Sequence, residues 1–222
     1  MEIHYLGHSC FRLRTRQASV LTDPFDPGMV GLPLKSQTAD IVTISHSHQD
    51  HSYLKAVKGK NQAEPFVIQG PGEYEVKQTF IIGWQTYHDA EQGKLRGKNT
   101  IYRIELEDIS VLHLGDLGHE LSADLVSELG EIDVLLIPVG GVYTIDASQA
   151  AQIVRQIEPK IVIPMHFYLP QLNPEHFAQL QPAEEFFQQL GLSLPEPETS
   201  FKLAKSQIGD EMQVKYLLPL GL

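Results

Sequence analysis

Three histidines and one aspartate are crowded into a segment of six residues. The run Ser45-His46-Ser47-His48-Gln49-Asp50-His51 holds three imidazoles and a carboxylate. In an extended segment, residues two apart point the same way, so His46 and His48 can share one cation. Asp50 and His51 follow at the turn and can hold a second ion. Because neutral imidazole is a good zinc ligand and carboxylate adds negative charge, the segment predicts a metal centre rather than a polar surface loop.

Strand patterns must position these groups. The apolar, β-branched run from Ile41 to Ser45 predicts a buried strand that delivers His46 to a sheet edge. Short strand patterns fill the first half of the chain, and strands alternate with helices after Leu114. This order indicates two sheets with helices outside them. The first predicted strand is Ile3 to Leu6, and the later predicted strands are Ile132 to Pro138, Ile161 to Pro164 and Met212 to Leu217. The predicted helices are Ala123 to Leu129, Asp146 to Ile157, Asn173 onward and Glu184 to Leu190.

The spacing His-x-His-x-Asp-His after a β-strand resembles that of the metallo-β-lactamase superfamily. The resemblance extends to three later segments, Thr86-Tyr87-His88-Asp89, Leu114-Gly115-Asp116 and Pro164-Met165-His166, and it covers nearly the whole chain. Two earlier segments, Leu21-Thr22-Asp23-Pro24-Phe25 and Gly7-His8-Ser9, are also similar to this family. The chain looks closest to the small stand-alone branch that includes ascorbate-6-phosphate lactonase-like and other, uncharacterised metal-dependent hydrolases.

The resemblance implies an α+β fold, a four-layer αββα sandwich, in one domain over residues 1–222. It also implies seven ligands of two divalent ions: His46, His48 and His88 for the first, Asp50, His51 and His166 for the second, and Asp116 between them. Zinc is the expected metal. Mn, Fe and Ni remain alternatives, because histidine-rich sites bridged by a carboxylate accept them too.

Hydrolysis is the chemistry that such a site predicts. Two divalent ions close together lower the pKa of a shared water, polarise a carbonyl or phosphoryl oxygen and stabilise the developing oxyanion. Asp50 is expected to orient the attacking hydroxide as well as ligate. His119, three residues after Asp116, is a candidate proton donor or substrate contact, and its alternative is a loop histidine bonded to backbone. The predicted protein is a metal-dependent hydrolase of a small ester, lactone or phosphoester.

Several other residues have two interpretations each. His8 is either a pocket residue or structural, and Asp23 either holds a ligand histidine by its other ring nitrogen or only packs. The basic loop Gly93-Lys94-Leu95-Arg96-Gly97-Lys98 either grips a phosphate or carboxylate of the substrate or is a solvated hairpin tip. Cys10 has no clear paired base, so an inert buried thiol is expected.

Composition narrows the function classes. The 222 residues include 17 Lys and Arg against 28 Asp and Glu, and the net charge of −11 disfavours nucleic acid as a partner. A small-molecule substrate is expected instead. The single cysteine excludes an internal disulfide and a cysteine-based structural zinc site. The sequence shows no signal peptide and no membrane span, so a cytoplasmic protein is predicted.

The same scaffold also supports two other functions. A phosphodiesterase or nuclease is disfavoured by the acidic charge and by the short gaps between the ligand segments, which leave no room for an inserted domain. A non-hydrolytic redox or binding protein is disfavoured as well. Diiron members of the superfamily favour a carboxylate where this chain has His48, and a pure binding module would be expected to lose ligands.

Overall fold

The computed structural model describes residues 1–60 and 63–219. These residues contain fifteen strands and five α-helices, joined by loops and turns. The strands of the first half are β1 (Glu2–Gly7), β2 (Cys10–Arg14), β3 (Ser19–Thr22), β4 (Gln37–Thr38), β5 (Ile41–Ile44), β6 (Val57–Lys58), β7 (Phe66–Gln69), β8 (Gly72–Val76), β9 (Thr79–Tyr87) and β10 (Lys98–Leu106). The later strands are β11 (Ile109–His113), β12 (Val134–Pro138), β13 (Ile161–Met165), β14 (Phe201–Lys202) and β15 (Gln213–Val214). The helices are α1 (Pro27–Val30), α2 (Ala123–Leu129), α3 (Ala147–Ile157), α4 (Pro174–Phe177) and α5 (Ala183–Gln189).

Two large sheets are formed. The first has the strand order β14-β1-β2-β3-β5-β7 and the second the order β15-β13-β12-β11-β10-β9-β8, while β4 and β6 pair separately. In the first sheet, β3, β5 and β7 are parallel. In the second, β11, β12 and β13 are parallel, and β9 runs the same way because two antiparallel pairings separate it from β11. The carboxyl ends of β9, β11 and β13 therefore lie at one edge of the second sheet.

Two hydrogen bonds join the two sheets at the end of β5. The hydroxyl of the buried Tyr102 on β10 donates a hydrogen bond to the carbonyl of Ile44, at 2.9 Å. The backbone N–H of Thr100 donates to the carbonyl of Ser45, also at 2.9 Å. These bonds hold the last residue of a first-sheet strand against a second-sheet strand. The segment that begins at His46 therefore starts from a fixed position between the sheets.

Helices α2 and α3 begin and end where their capping residues predict, whereas α5 begins at Ala183, one residue before the predicted Glu184. Ser122 accepts a hydrogen bond from the N–H of Leu125 at the start of α2, and Asp146 forms a capping box with Gln149 at the start of α3. The predicted strand after Met212 is shorter than expected, since only Gln213–Val214 pairs with β13. The longest helix, α3, has 11 residues. Within the described ranges, no helix has both the length and the apolar character needed to cross a bilayer.

Asp40 anchors the start of β5 through its buried carboxylate, which accepts hydrogen bonds from the N–H of Ser19 and from the ammonium groups of Lys60 and Lys77. Burial opposes ionisation, but the two lysine bonds outweigh it and hold the pKa of Asp40 below its ordinary value. A carboxyl with a lowered folded pKa stabilises the protein above its unfolded pKa of about 3.9, and this contribution is lost as the pH falls through the folded pKa.

We therefore expect Asp40→Asn to lower the free energy of unfolding by about 1–3 kcal/mol at neutral pH. The difference from the unsubstituted protein should shrink as the pH falls below about 4, where the unfolded chain begins to bind a proton at Asp40, and should be lost below the folded pKa. Urea unfolding at several pH values measures both effects. Asp108→Asn, at an exposed turn position, is the control. A difference that is constant with pH would contradict this account of Asp40.

Candidate metal centre

Strand ends deliver every side chain of the implied metal site. His46, His48, Asp50 and His51 follow β5, while His88 follows β9. Asp116 follows β11 and His166 follows β13. Because β9, β11 and β13 run in the same direction, their carboxyl ends meet at one edge. The structure thus brings the seven residues together although they span 121 positions of the chain, from 46 to 166.

Asp116 is the point on which the imidazoles converge. Its Oδ2 lies 3.2 Å from Nε2 of His51 and 3.3 Å from Nε2 of both His88 and His166. The carboxylate is 2 % exposed, so water offers little compensation. Its loop is held by Asn99, whose Oδ1 accepts from the N–H of Asp116 at 3.0 Å. One carboxylate oxygen therefore has three ring nitrogens around it in a dry environment.

His46 and His48 form the second part of the cluster. Nε2 of His46 lies 3.0 Å from Nδ1 of His48, and their ring centroids lie 4.8 and 5.1 Å from that of His88. His46 is buried, whereas His48 is exposed at the mouth of the site. Two neutral imidazoles whose lone pairs face each other repel, unless a proton or a cation lies between them. This pair and His88 form a group of three side chains that can hold one ion.

His8 and Asp50 belong to a second group of possible ligands, together with His51 and His166. Nε2 of His8 lies 3.1 Å from Oδ2 of Asp50, and the His8 ring packs 4.2 Å from the ring of His166. One ligand atom each from His8, Asp50, His51 and His166 lies within 4.8 Å of the others. His8 is therefore packed against implied ligands of the cluster, although it is not among the described residues that line the adjacent cavity. It is 2 % exposed and has a φ of 56°, a conformation that non-glycine residues rarely adopt.

Asp23 orients two of the histidines, His51 by a direct hydrogen bond and His46 through the hydroxyl of Ser45. Nδ1 of His51 donates to Oδ2 of Asp23 at 2.9 Å, and the N–H and hydroxyl of Ser45 also donate to this carboxylate. Because the Ser45 hydroxyl uses its proton on Asp23, it can only accept the bond from Nδ1 of His46 at 2.9 Å. Nε2 of His46 and Nε2 of His51 are thereby the ring atoms that face the site and can ligate a metal.

We expect Asp23→Asn to weaken metal affinity by about 10- to 100-fold, because the amide cannot accept from all of these donors at once. Competition titration with a coloured chelator measures the affinity. Asp133→Asn is a matched control, since Asp133 is also buried and accepts from the N–H of Ser110, but belongs to none of the groups that can hold a metal. That control should lose stability and keep its metal affinity. Equal affinity losses in the two variants would refute the orienting role of Asp23.

The protonation of the cluster follows from burial and from its two carboxylates. Burial opposes the charge on Asp116, yet His166 and His51 hold its pKa well below the ordinary value. Burial likewise opposes the charge on His51, but Asp116 and Asp50 raise its pKa well above normal. Burial, with the neighbouring His166, lowers the pKa of His8 to about 4. At neutral pH the carboxylates are therefore ionised and His8 is neutral, while His51 of the metal-free protein holds a proton that a bound metal would replace.

The donor atoms of this site fit a divalent metal. Around a tetrahedral zinc with bonds of about 2.0–2.1 Å, the donor atoms stand about 3.3 Å apart. The three contacts of Asp116 Oδ2 have this spacing, at 3.2 to 3.3 Å. The buried Nε2 of His51 has no hydrogen-bond partner among the described residues. Imidazole and carboxylate are the donor set that zinc and related ions prefer.

His119 is not brought to the cluster. Its Nε2 accepts from the backbone N–H of Tyr87 at 3.1 Å, and its Nδ1 donates to the carbonyl of Glu120 at 2.7 Å. Both ring nitrogens are thus engaged by backbone, and His119 is absent from the described lining of the cavity beside the cluster. The structure supports the backbone-bonded alternative. The catalytic assignment of His119 is therefore corrected, because proximity in sequence to Asp116 does not turn its side chain toward the site.

The structure also places the cysteine and the other histidine residues whose roles the sequence suggests, and it adds Asn99. Cys10 is fully buried and its pKa is raised well above normal by burial, which agrees with an inert thiol. His113 is also buried and its Nε2 bonds the carbonyl of Ser9 at 2.9 Å. His176 is exposed on α4, as its helix position predicts, but it also lines the cavity. Asn99 was not recognised from the sequence, although a polar residue within a buried strand pattern is a usable signal.

A cavity of about 410 Å³ opens onto the cluster. Its lining contains five of the implied ligands together with residues from five loops or short helices. These other residues are Met29, Gln49, Arg96, Tyr143, His176 and Phe177. A second cavity of about 380 Å³ lies on the other side of His48 and shares Arg96 with the first. The cluster is therefore open to a molecule the size of a small metabolite.

Comparison with known proteins agrees with this geometry. A family model for the β-lactamase superfamily domain matches residues 2–166. A UPF0173 metal-dependent hydrolase from Methanopyrus kandleri is 31% identical over 209 residues, which are 80% of this chain and 90% of the relative. Another from Pyrococcus horikoshii is 27% identical over 207 residues, 81% of this chain and 92% of the relative. A Thermotoga maritima structure described as a zinc-dependent hydrolase of the metallo-β-lactamase superfamily has a TM-score of 0.76 at 36% identity, over 97% of each chain.

The fold and the site together define a metal-dependent hydrolase: a two-sheet α+β sandwich with a histidine–aspartate cluster at its strand ends. The chain belongs to the metallo-β-lactamase superfamily and, within it, to the branch of stand-alone metal-dependent hydrolases. The fold class and the enzyme class predicted from the sequence are thereby confirmed. The clustered histidines and aspartates agree with the metal dependence of these relatives.

Proposed function

We propose that this enzyme hydrolyses a small ester, lactone or phosphoester with two divalent metal ions, zinc in the first place, acting as one domain. The observation that carries the proposal is the convergence of three imidazole nitrogens on Oδ2 of Asp116 at 3.2 to 3.3 Å. Groups that can each hold one ion lie on either side of this carboxylate. The two-ion arrangement accounts for both groups at once, whereas a single ion leaves one of them uncompensated.

The seven implied ligands divide between the two positions. His46, His48 and His88 would hold the first ion, Asp50, His51 and His166 the second, and Asp116 both. When bound, the ions would lower the pKa of a water and polarise the substrate oxygen. The protein contributes rigidity, because strand ends, Asp23 and Asn99 hold the ligands before anything binds.

Asp50 has a second task beside ligation. Its carboxylate lines the cavity and lies 3.1 Å from Nε2 of His8 and 3.6 Å from Nε2 of His51. Although burial opposes ionisation, these two histidines keep the pKa of Asp50 far below its ordinary value. An ionised carboxylate at the cavity wall can accept a hydrogen bond from the attacking water and orient it toward the substrate. His8 positions Asp50 for this task.

The test begins with elemental analysis of the purified protein. Hydrolysis is then screened with zinc, manganese, iron or nickel against lactones, thioesters and phosphoesters. We expect about two metal equivalents, activity that a chelator removes, and activity that returns with metal. A protein that binds no divalent ion when supplied with it, or that keeps full activity without metal, would contradict the proposal. Metal-dependent degradation of labelled single-stranded RNA would instead indicate a nuclease.

A further inference from the structure

One cationic side chain faces the cavity above the cluster. Among the described residues that line the 410 Å³ cavity, Arg96 is the only arginine or lysine. Within the described ranges, none of the ion pairs involves the guanidinium group of Arg96. A half-buried arginine without an acidic partner, in a chain with a net charge of −11, is an unsatisfied cation beside a reaction site.

The loop that carries Arg96 is rigid because Asp89 holds it from inside. The Asp89 carboxylate accepts hydrogen bonds from the backbone N–H groups of Glu91, Gly93, Leu95 and Arg96, at 2.8, 2.9, 3.1 and 2.7 Å. Asp89 directly follows His88, whose own N–H donates to the carbonyl of Gly97 at 3.0 Å. The position of Arg96 is therefore coupled to that of an implied metal ligand. A solvated hairpin tip would not need this internal support.

The guanidinium group of Arg96 packs over the ring of Tyr143, which lines the same cavity. Cζ of Arg96 lies 5.5 Å from the centroid of the Tyr143 ring, within the range of a cation–π contact. The ring is itself fixed, since its hydroxyl donates to the carbonyl of His176 at 2.6 Å. The preceding Val142 has a φ of 60°, which is costly for a β-branched residue. The turn thus bears backbone strain next to the residue that orients Arg96.

We infer that Arg96 binds an anionic group of the substrate, a carboxylate or a phosphate, and so sets the position of the scissile bond over the cluster. This inference rests on the proposed hydrolytic function. The planar guanidinium offers paired N–H donors that match the oxygens of such a group. Stacking on Tyr143 leaves its edge available for those bonds. The preferred substrates are therefore small esters, lactones or phosphoesters that carry a further negative charge away from the reacting bond.

The experiment uses a matched pair of substrates, the lactone paraconate, which carries one carboxylate, and its neutral carboxamide. In the metal-loaded enzyme, Arg96→Gln should raise KM for paraconate by about 10- to 100-fold and change kcat much less. Arg96→Lys should give an intermediate KM, because lysine keeps the positive charge but not the paired N–H donors of the guanidinium group. Hydrolysis of the carboxamide should be unchanged. Lys94→Ala is the control, since this cation of the same loop is exposed and lines neither cavity.

The inference would be overturned if Arg96→Gln raised KM equally for paraconate and for the carboxamide, or if it left the kinetics of both substrates unchanged. In either case the hydrolytic function would stand. If the unsubstituted enzyme binds metal but hydrolyses neither lactone, calorimetric titration with paraconate and with inorganic phosphate decides. Binding that is about tenfold weaker or more in Arg96→Gln supports the anion site. Equal binding in both proteins, or none in either, overturns it. Failure to bind metal or to hydrolyse anything in the wider screen counts against the proposed function instead.

Discussion

Asp116→Asn is expected to lower kcat/KM by about a thousandfold or more and to remove metal from the site. Asp116 is the residue on which Nε2 of His51, His88 and His166 converge. An asparagine has the same shape, but it has one oxygen instead of two and no charge. Its amide N–H groups would point toward either the ring nitrogens or the metal positions. Both proposed ions therefore lose a ligand through one substitution.

Metal content by mass spectrometry and steady-state kinetics measure this effect, with circular dichroism as a check on folding. Asp108→Asn is the matched control, because Asp108 lies in an exposed turn and asparagine tolerates its φ of 64°. The control should keep both metal and activity. If Asp116→Asn folds and retains both ions and full activity, the bridging role assigned to Asp116 is wrong.

His48→Ala is expected to lower activity by about 100-fold or more while leaving the metal-free protein as stable as before. His48 is exposed, and the nitrogen it turns toward the cluster faces another imidazole nitrogen, that of His46, at 3.0 Å. Little packing or hydrogen bonding is lost with this side chain. The stabilisation that metal confers on the folded state should therefore fall, because the stability added by a ligand that binds the native state grows with the logarithm of its affinity.

Thermal unfolding with and without added zinc separates these two effects. The metal-free midpoints of His48→Ala and the unsubstituted protein should agree, and the upward shift with zinc should be smaller in the variant. His4→Ala serves as a control, since His4 lies on β1 and belongs to neither metal-binding group. A variant that loses activity only because its metal-free form unfolds would contradict a ligand role for His48.

Local patterns were enough to predict most of the elements. The alternation in β1, the apolar runs of β12 and β13, and the caps at Ser122 and Asp146 all depend on neighbours in sequence, and the structure places these elements as expected. The four-residue α1 was not predicted, although Asp26 caps it and Pro27 opens it. A helix this short has almost no periodicity from which to recognise it.

Roles that depend on side-chain direction were harder to predict. His119 has the right type and lies near Asp116, but backbone groups of Tyr87 and Glu120 occupy both of its nitrogens. The sequence shows Asp89 only as the neighbour of His88, whereas in the structure its carboxylate organises the loop up to Arg96 through four hydrogen bonds from backbone N–H groups. Neither fact follows from spacing, because each depends on how a loop folds back on a strand end.

The sequence by itself determined the chemistry: which side chains can ligate, that they follow strands, and that an acidic chain with one cysteine must use histidine and carboxylate. Only the tertiary structure decided which of these groups meet. Parallel pairing of β11, β12 and β13 and the fixed end of β5 bring His46, Asp116 and His166 to one edge. The same packing turned Arg96 into the cavity and His119 out of it. Ligand identity is a property of single residues, whereas convergence depends on long-range strand pairing that no local pattern encodes.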